Sequence, residues 1–224
     1  MVCMKKLLLI LLCATMISTS MGNIKVHAQD TESIKRIALT FDDGPHPKQT
    51  KQILDVLDKY NVKATFFVIG INVKNYPGII SEVINRGHEI GNHTYTHPHA
   101  AKLDREALRA QILDCEQEIF NQTGQSVHLF RPPEGAVSAP MRQMMHDLDY
   151  INVLWNLDTR DWAHTPPEEI ARNILQNAKN GDIILMHDYI GYNSPTVQAL
   201  ELFLPQLIEQ GFTFVTVGEL LQNK

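Results

Sequence analysis

The chain has 224 residues, and removing its first 28 as a leader leaves a length suited to one domain with one hydrophobic core. Beyond the leader stand 17 basic and 25 acidic residues, a net charge of −8. An acidic domain without a basic run excludes a nucleic-acid binder, because phosphate contacts need Lys and Arg. Cys3 and Cys13 fall within the leader, so Cys115 stands alone, no intramolecular disulfide is available, and the fold must stand on its core.

In chain order, Lys5-Lys6 precede an apolar run from Leu7 to Ile17, then polar Ser18-Thr19-Ser20 and the small-residue motif Val26-His27-Ala28. This pattern predicts a secretory signal over residues 1–28, cut before Gln29, and hence a secreted or cell-surface protein. The run is shorter than the ~20 residues of a membrane span; retention as an N-terminal anchor is the alternative, and the only route to a membrane. Residues 29–33 read as a short linker and 34–224 as one catalytic domain, expected to act as a monomer. Strand-length apolar runs then alternate with helical periods. Strands are predicted at Ile37–Phe41, Ala64–Ile69, His88–Ile90, Val127–Phe130, Ile151–Trp155, Ile183–Met186 and Phe212–Val217. Helices are predicted around Ile53–Leu57 and Ile79–Asn85, and over Leu103–Phe120, Ala139–Leu148, Pro167–Ala178 and Pro195–Gln210. Such alternation argues an α/β fold: a parallel sheet with helices outside, about seven units curled into a small irregular barrel.

The informative polar residues follow strands. Asp42-Asp43 come directly after Phe41, His93 and His97 after Ile90, and Arg131 after Phe130. Asp158, Asp161 and Trp162 follow Trp155, and His187 follows Met186. Parallel α/β barrels build their active sites at the carboxyl ends of strands. His93 and His97, four residues apart, can aim two imidazoles at one point, as zinc sites require; a surface turn is the plain alternative. Asp42-Asp43 on the Gly44-Pro45 turn could be a solvated turn. At the end of a buried strand, one carboxylate can bind a metal while the other faces a reacting centre. Two His and one carboxylate leave coordination positions open, which suits catalysis rather than a closed structural site. Arg131, stiffened by Pro132-Pro133, could pin a carboxylate in a salt bridge.

Five segments taken together resemble the polysaccharide deacetylases of carbohydrate esterase family 4, the NodB-homology domain. They are Thr40–Pro45, His93–His97, Arg131–Gly135, Asp158–Trp162 and Leu185–His187, in the family's order and within residues 34–220. The resemblance implies a distorted (β/α)7 barrel and a metal-dependent hydrolase removing N-acetyl groups from N-acetylglucosamine units of peptidoglycan, chitin or a chitooligosaccharide. An O-deacetylase of acetylated xylan and a non-catalytic glycan-binding wall protein are the alternatives. It further implies Asp43, His93 and His97 as ligands of a divalent metal, zinc above cobalt or nickel. Asp42 would be the general base held by Arg131, His187 the general acid oriented by Asp161, and Leu185 and Trp162 the walls around the acetyl methyl and sugar. The backbone N–H of Glu134 would face the oxyanion. Relatives commonly carry Tyr at that position; the Glu134 side chain loosens the expected substrate, and the loop Asp188–Asn193, with Tyr189 and Tyr192, could supply the aromatic face instead.

Overall fold

The computed structural model describes residues 34–222; the expected leader and linker lie outside the described residues. At the centre is β1 (Lys35–Asp42), whose last six residues are buried. A continuous apolar run of this kind suits a central parallel strand covered on both faces. Around it lie β2 (Thr65–Val68), β3 (Glu89–Asn92), β4 (Leu129–Phe130), β5 (Ile151–Asn152), β6 (Leu157–Asp158), β7 (Ile183–His187) and β8 (Phe212–Val215). The order is β5-β4-β3-β2-β1-β7-β6, with every ladder parallel. β7 lies along one edge of β1. The other edge is shared, with β8 beside Lys35–Ala38 and β2 beside Thr40–Asp42. Among the described residues no ladder joins β5 to β6. The sheet is therefore a curled half-barrel with a seam, crossed by residues 153–156.

Helices cover the outside: α1 (Gln49–Lys59), α2 (Gly70–Asn75), α3 (Ile79–Asn85), α4 (Arg105–Thr123), α5 (Ala139–Asp147), α6 (Pro167–Asn177), α7 (Thr196–Glu209) and α8 (Val217–Gln222). The longest, α4, starts where the Asp104 carboxylate accepts from the Ala107 N–H at 2.8 Å. It stops at Gly124, in the left-handed region at φ 68°. These are an N-cap and a C-terminal glycine, which satisfy backbone groups the helix cannot pair internally.

Strand alternation decides which side chains enter the barrel. Ile37, Leu39 and Phe41 of β1, Phe66 and Val68 of β2, Phe130 of β4, and Ile184 and Met186 of β7 pack outward into the large core under the helices. Ala38, Phe67 and Leu129 face inward, with Val153 and Val215, in a smaller cluster that fills the barrel floor. With side chains alternating at a period of two, Thr40 and Asp42 share the inward face with Ala38, and Leu185 and His187 share it with Ile183. The polar strand ends thus sit above a dry apolar floor.

The sequence pattern and the fold part company at three places. The Ile151–Trp155 strand stops at Asn152; the chain turns, and Leu157–Asp158 pairs with β7 as a separate strand. Phe212–Val217 ends as a strand at Val215, because Thr216 and Glu219 form a reciprocal capping box that starts α8. The Thr216 N–H donates to Glu219 Oε2 at 2.9 Å and the Glu219 N–H to Thr216 Oγ1 at 3.2 Å. A short helix, α2, fills the stretch after β2 that the pattern left unassigned.

Candidate active site

The deepest charged pair is Asp42 with Arg131, both buried at the top of the barrel. Arg131 Nη1 donates to Asp42 Oδ1 at 2.7 Å and to Thr40 Oγ1 at 2.8 Å. Its Nε donates to the Val153 carbonyl at 3.2 Å and Nη2 to the Leu154 carbonyl at 3.4 Å. The guanidinium lies 4.1 Å above the Phe67 ring of the floor, a cation–π contact in a desolvated place. Burial lowers its pKa and the charge of Asp42 opposes that; guanidinium starts so high that it stays charged. In this buried ion pair all three guanidinium nitrogens are hydrogen-bonded, as the burial of such a charge requires.

Next to it, Asp43, His93 and His97 bring their ligand atoms within 4.8 Å of one another. Asp43 and His97 both hold positive φ, 76° and 54°, backbone turned so that the two side chains converge. Asp43 Oδ1 lies 3.5 Å from His93 Nε2 and 3.3 Å from His97 Nε2. His93 Nδ1 lies 2.7 Å from the Arg131 carbonyl. A carbonyl only accepts, so Nδ1 carries the proton and Nε2 faces Asp43. Burial lowers the pKa of His97 and favours its neutral form. Burial also acts against a charge on His93, but Asp42 and Asp43 outweigh it and raise its pKa. Burial raises the Asp43 pKa, and the three neighbouring histidines more than reverse it. Asp43 Oδ1 is buried without a hydrogen-bond donor. Two imidazole nitrogens and one orphaned carboxylate oxygen, in a pocket with excess negative charge, fit a divalent cation.

On the opposite wall, His187 Nδ1 lies 2.8 Å from Asp161 Oδ1. Asp161 is fully buried. Its Oδ2 also accepts from the His187 backbone N–H and from Thr196 Oγ1, each at 2.8 Å, and its Oδ1 from the Trp162 N–H at 2.9 Å. Burial works against a charged His187, yet the hydrogen bond and charge of Asp161, helped by Asp42 and Asp43, raise its pKa to about 9.

Asp42, Asp43, His93, His97 and His187 line one cavity of about 510 Å³, walled further by Glu134, Trp155, Asp158, Trp162 and Leu185. Leu185 is buried at its base and Trp162 is half exposed at its mouth. Glu134 sits at φ 59° in the turn after Pro132-Pro133. The Gly135 and Ala136 N–H groups of that turn go to the Pro132 and Pro133 carbonyls, leaving the Glu134 N–H as its unused amide. The Glu134 carboxylate lies 3.4 Å from His99 Nε2 at the rim.

A model of the polysaccharide deacetylase family matches residues 29–153. The chain is 44% identical over 192 residues to a peptidoglycan-N-acetylglucosamine deacetylase of Bacillus cereus, covering 85% of this chain and 90% of that one. The chain belongs to the polysaccharide deacetylase family. It is also 35% identical over 190 residues to a chitooligosaccharide deacetylase of Rhizobium leguminosarum bv. trifolii, covering 80% of this chain and 88% of that one. Among solved structures it resembles a family 4 acetyl xylan esterase from Clostridium thermocellum in complex with a cobalt ion. There the TM-score is 0.79 and the identity 38%, over 84% of this chain and 91% of that one. The fold, a curled parallel half-barrel, is that of the family, and the protein is a polysaccharide deacetylase by family.

This polysaccharide deacetylase gathers at one end of the barrel the ten residues to which the family resemblance gives a role: eight line the cavity, and Arg131 and Asp161 stand directly behind Asp42 and His187. Four further contributors have no role assigned by the sequence motifs. Thr40 and Thr196 hold Arg131 and Asp161, and a lone Thr carries no signal of its own. Asp158 was noted only as a strand-end acid. Trp155 reads as the end of the predicted strand Ile151–Trp155, and only the early stop of β5 at Asn152 frees it to wall the cavity. Tyr189 and Tyr192 do not line this cavity; the expected aromatic wall here is Trp155 and Trp162 instead.

Proposed function

We propose that this chain is a divalent-metal-dependent N-deacetylase acting on N-acetylglucosamine units of a polysaccharide, peptidoglycan foremost. The observation that carries the reading is the pairing of two titratable groups in opposed electrostatic settings across one cavity, with a three-ligand cluster between them. Asp43, His93 and His97 would hold the ion, zinc above cobalt or nickel. A bound divalent ion would supply Lewis acidity, polarising the acetyl carbonyl and acidifying water.

The remaining chemistry belongs to the chain. Asp42, salt-bridged to Arg131 through Oδ1, takes the proton of the attacking water on Oδ2. His187, kept protonated by Asp161, gives its proton to the departing nitrogen, without which an amine is a poor leaving group. Against burial, Asp161 raises the pKa of His187, so that it carries a proton at the pH at which it must give one up. The Glu134 N–H, stiffened by two prolines, faces the developing oxyanion. Leu185 meets the acetyl methyl, and Trp162 covers the sugar.

Asp42→Asn keeps the shape of the base and removes its proton affinity. Acetate release from peptidoglycan and from N-acetylglucosamine oligomers should fall about 10²–10⁴-fold, while zinc bound per chain, measured by elemental mass spectrometry, stays near one equivalent. Activity that survives chelation, or is not restored by zinc, would refute metal dependence. A second reading, O-deacetylation of xylan, is favoured by the acetyl xylan esterase likeness and by the easier cleavage of an ester. Acetylxylan as the better substrate in the same assay would establish it. We also propose export, with a mature chain starting at Gln29 on N-terminal sequencing, and a monomer by light scattering.

A further inference from the structure

We propose that Asp188 is a positioning residue: it holds the turn that carries the carboxylate ligand Asp43 in its ligating shape, by pinning that turn to the strand that carries His187. The inference rests on the metal-dependent reading above. Asp188 does not line the reaction cavity, so whatever it does for the chemistry it does through its neighbours.

Asp188 follows β7 directly and is 1% exposed. Its backbone N–H donates to the Asp42 carbonyl at 3.1 Å, just past the Asp42–His187 pair that ends the β1–β7 ladder. Its side chain reaches over the turn that follows Asp43. Oδ2 accepts from Thr50 Oγ1 at 2.6 Å, and Thr50 Oγ1 accepts in turn from the His46 N–H at 2.7 Å. A hydroxyl gives one proton and receives others on its lone pairs, so the buried Thr50 at the start of α1 serves both bonds at once.

Between these anchors the carboxyl group lies against Gly44. A Cβ there would overlap Oδ1, Oδ2 and Cγ of Asp188, so only glycine lets the acid come so near. The other side of the turn is tied to β2 and α2. Asn72 Nδ2 donates to the Asp43 carbonyl at 2.9 Å, and the Ile69 N–H to the Gly44 carbonyl at 2.8 Å. Asp43 holds φ 76° within this grip. A left-handed backbone at a residue other than glycine persists only where its surroundings over-determine it. Asp188 supplies the grip on one whole side, at Asp42 by its backbone and at His46 through Thr50.

Two observations separate this from space-filling. Asp188 Oδ1 is buried without a hydrogen-bond donor, and a half-satisfied buried acid is a costly way to fill a core. The groups it joins also carry the chemistry, since Asp42, the turn of Asp43 and His187 all meet it directly. Groups that orient a metal's ligands typically alter affinity about 10–100-fold when removed.

The test is the zinc affinity of chelator-treated protein, read by competition with a chromophoric chelator at a temperature where every variant is folded. Thr50→Val keeps the volume and removes the hydroxyl between Asp188 and His46, and Asp188→Ala removes the carboxylate itself. Zinc should bind about 10–100-fold more weakly to each. Thr50→Ser retains the hydroxyl and should bind zinc as wild type does. A purely structural role would lower the melting temperature of Thr50→Val and leave its zinc Kd unmoved, and that result overturns the proposal. So does a Thr50→Ser as weak for zinc as Thr50→Val. Should Asp188→Ala lose its native circular dichroism, the two Thr50 variants decide alone. A wild type that binds zinc and releases no acetate, with Thr50→Val still weak for zinc, would keep the positioning role and refute the deacetylase reading. Zinc-dependent acetate release with one zinc Kd across all variants would do the reverse. A wild type that binds no zinc overturns both.

Discussion

At the scale of single residues, the decisive feature is how differently two titratable side chains are treated within one cavity. His187 binds its proton more tightly in the fold, with a pKa near 9, than free imidazole does. Its contribution to stability is therefore complete below the unfolded value of ~6.5 and is lost as pH climbs through about 9. A general acid must be protonated, so the activity of the wild type should hold toward that alkaline limit. Asp161→Asn keeps the shape of the side chain, loses one accepted N–H bond because its amide nitrogen cannot accept, and removes the charge that lifts His187. The alkaline limb of the kcat/KM profile should move to lower pH, and the His187 resonance should titrate closer to 6.5. An unmoved limb would mean another group is the acid. Bound zinc works in the opposite sense to Asp161, so the two profiles are best compared at equal metal loading.

Elements determine how well those side chains are aimed. β3 passes β2 so closely that a Cβ on Gly91 would meet the Phe67 ring at 2.4 and 2.5 Å. Phe67 in turn is the surface on which the Arg131 guanidinium lies. Gly91→Ala forces that buried ring to shift; overpacking of this kind costs about 1–3 kcal/mol. The variant should melt lower, and its kcat should fall as well because Arg131 loses its floor. A normal kcat in a destabilised Gly91→Ala would uncouple the floor from the site. The same scale explains what could be read in advance. The long apolar runs of β1, β2 and β7 announce themselves, since a buried strand needs an unbroken apolar stretch, and the polar residues just beyond them mark the site. β5 and β6 have two paired residues each; so short a strand leaves no period, and Ile151–Trp155 passes for one strand. Thr216 and Val217 extend the apolar, β-branched pattern of Phe212–Val215, which masks the Thr216–Glu219 capping box that ends the strand. Pairings across the barrel, such as Thr40 with Arg131 or Thr196 with Asp161, depend on sequence separations of 91 and 35 residues, and no local pattern encodes them.

For the whole molecule, metal binding and folding should be linked. Asp43 follows β1, and His93 and His97 follow β3, so the ligand set exists only when the sheet is assembled. An ion that binds the native state alone stabilises it by about 2.7 kcal/mol at a hundredfold excess over its Kd. Zinc should therefore raise the melting temperature of chelator-treated protein, and His97→Ala should abolish most of that rise while barely altering the apo melting point. A rise unaffected by His97→Ala would place the ion elsewhere.

The seam between β5 and β6 gives Arg131 a second employment. Its Nε and Nη2 reach the Val153 and Leu154 carbonyls on the open edge, while Nη1 reaches Thr40 and Asp42 on the central strand. One side chain thus acts as a clasp across the mouth of an unclosed ring. The scaffold's weakest join and the partner of its proton acceptor are the same guanidinium, so a lineage that discarded the chemistry could not discard this arginine without also loosening the ring.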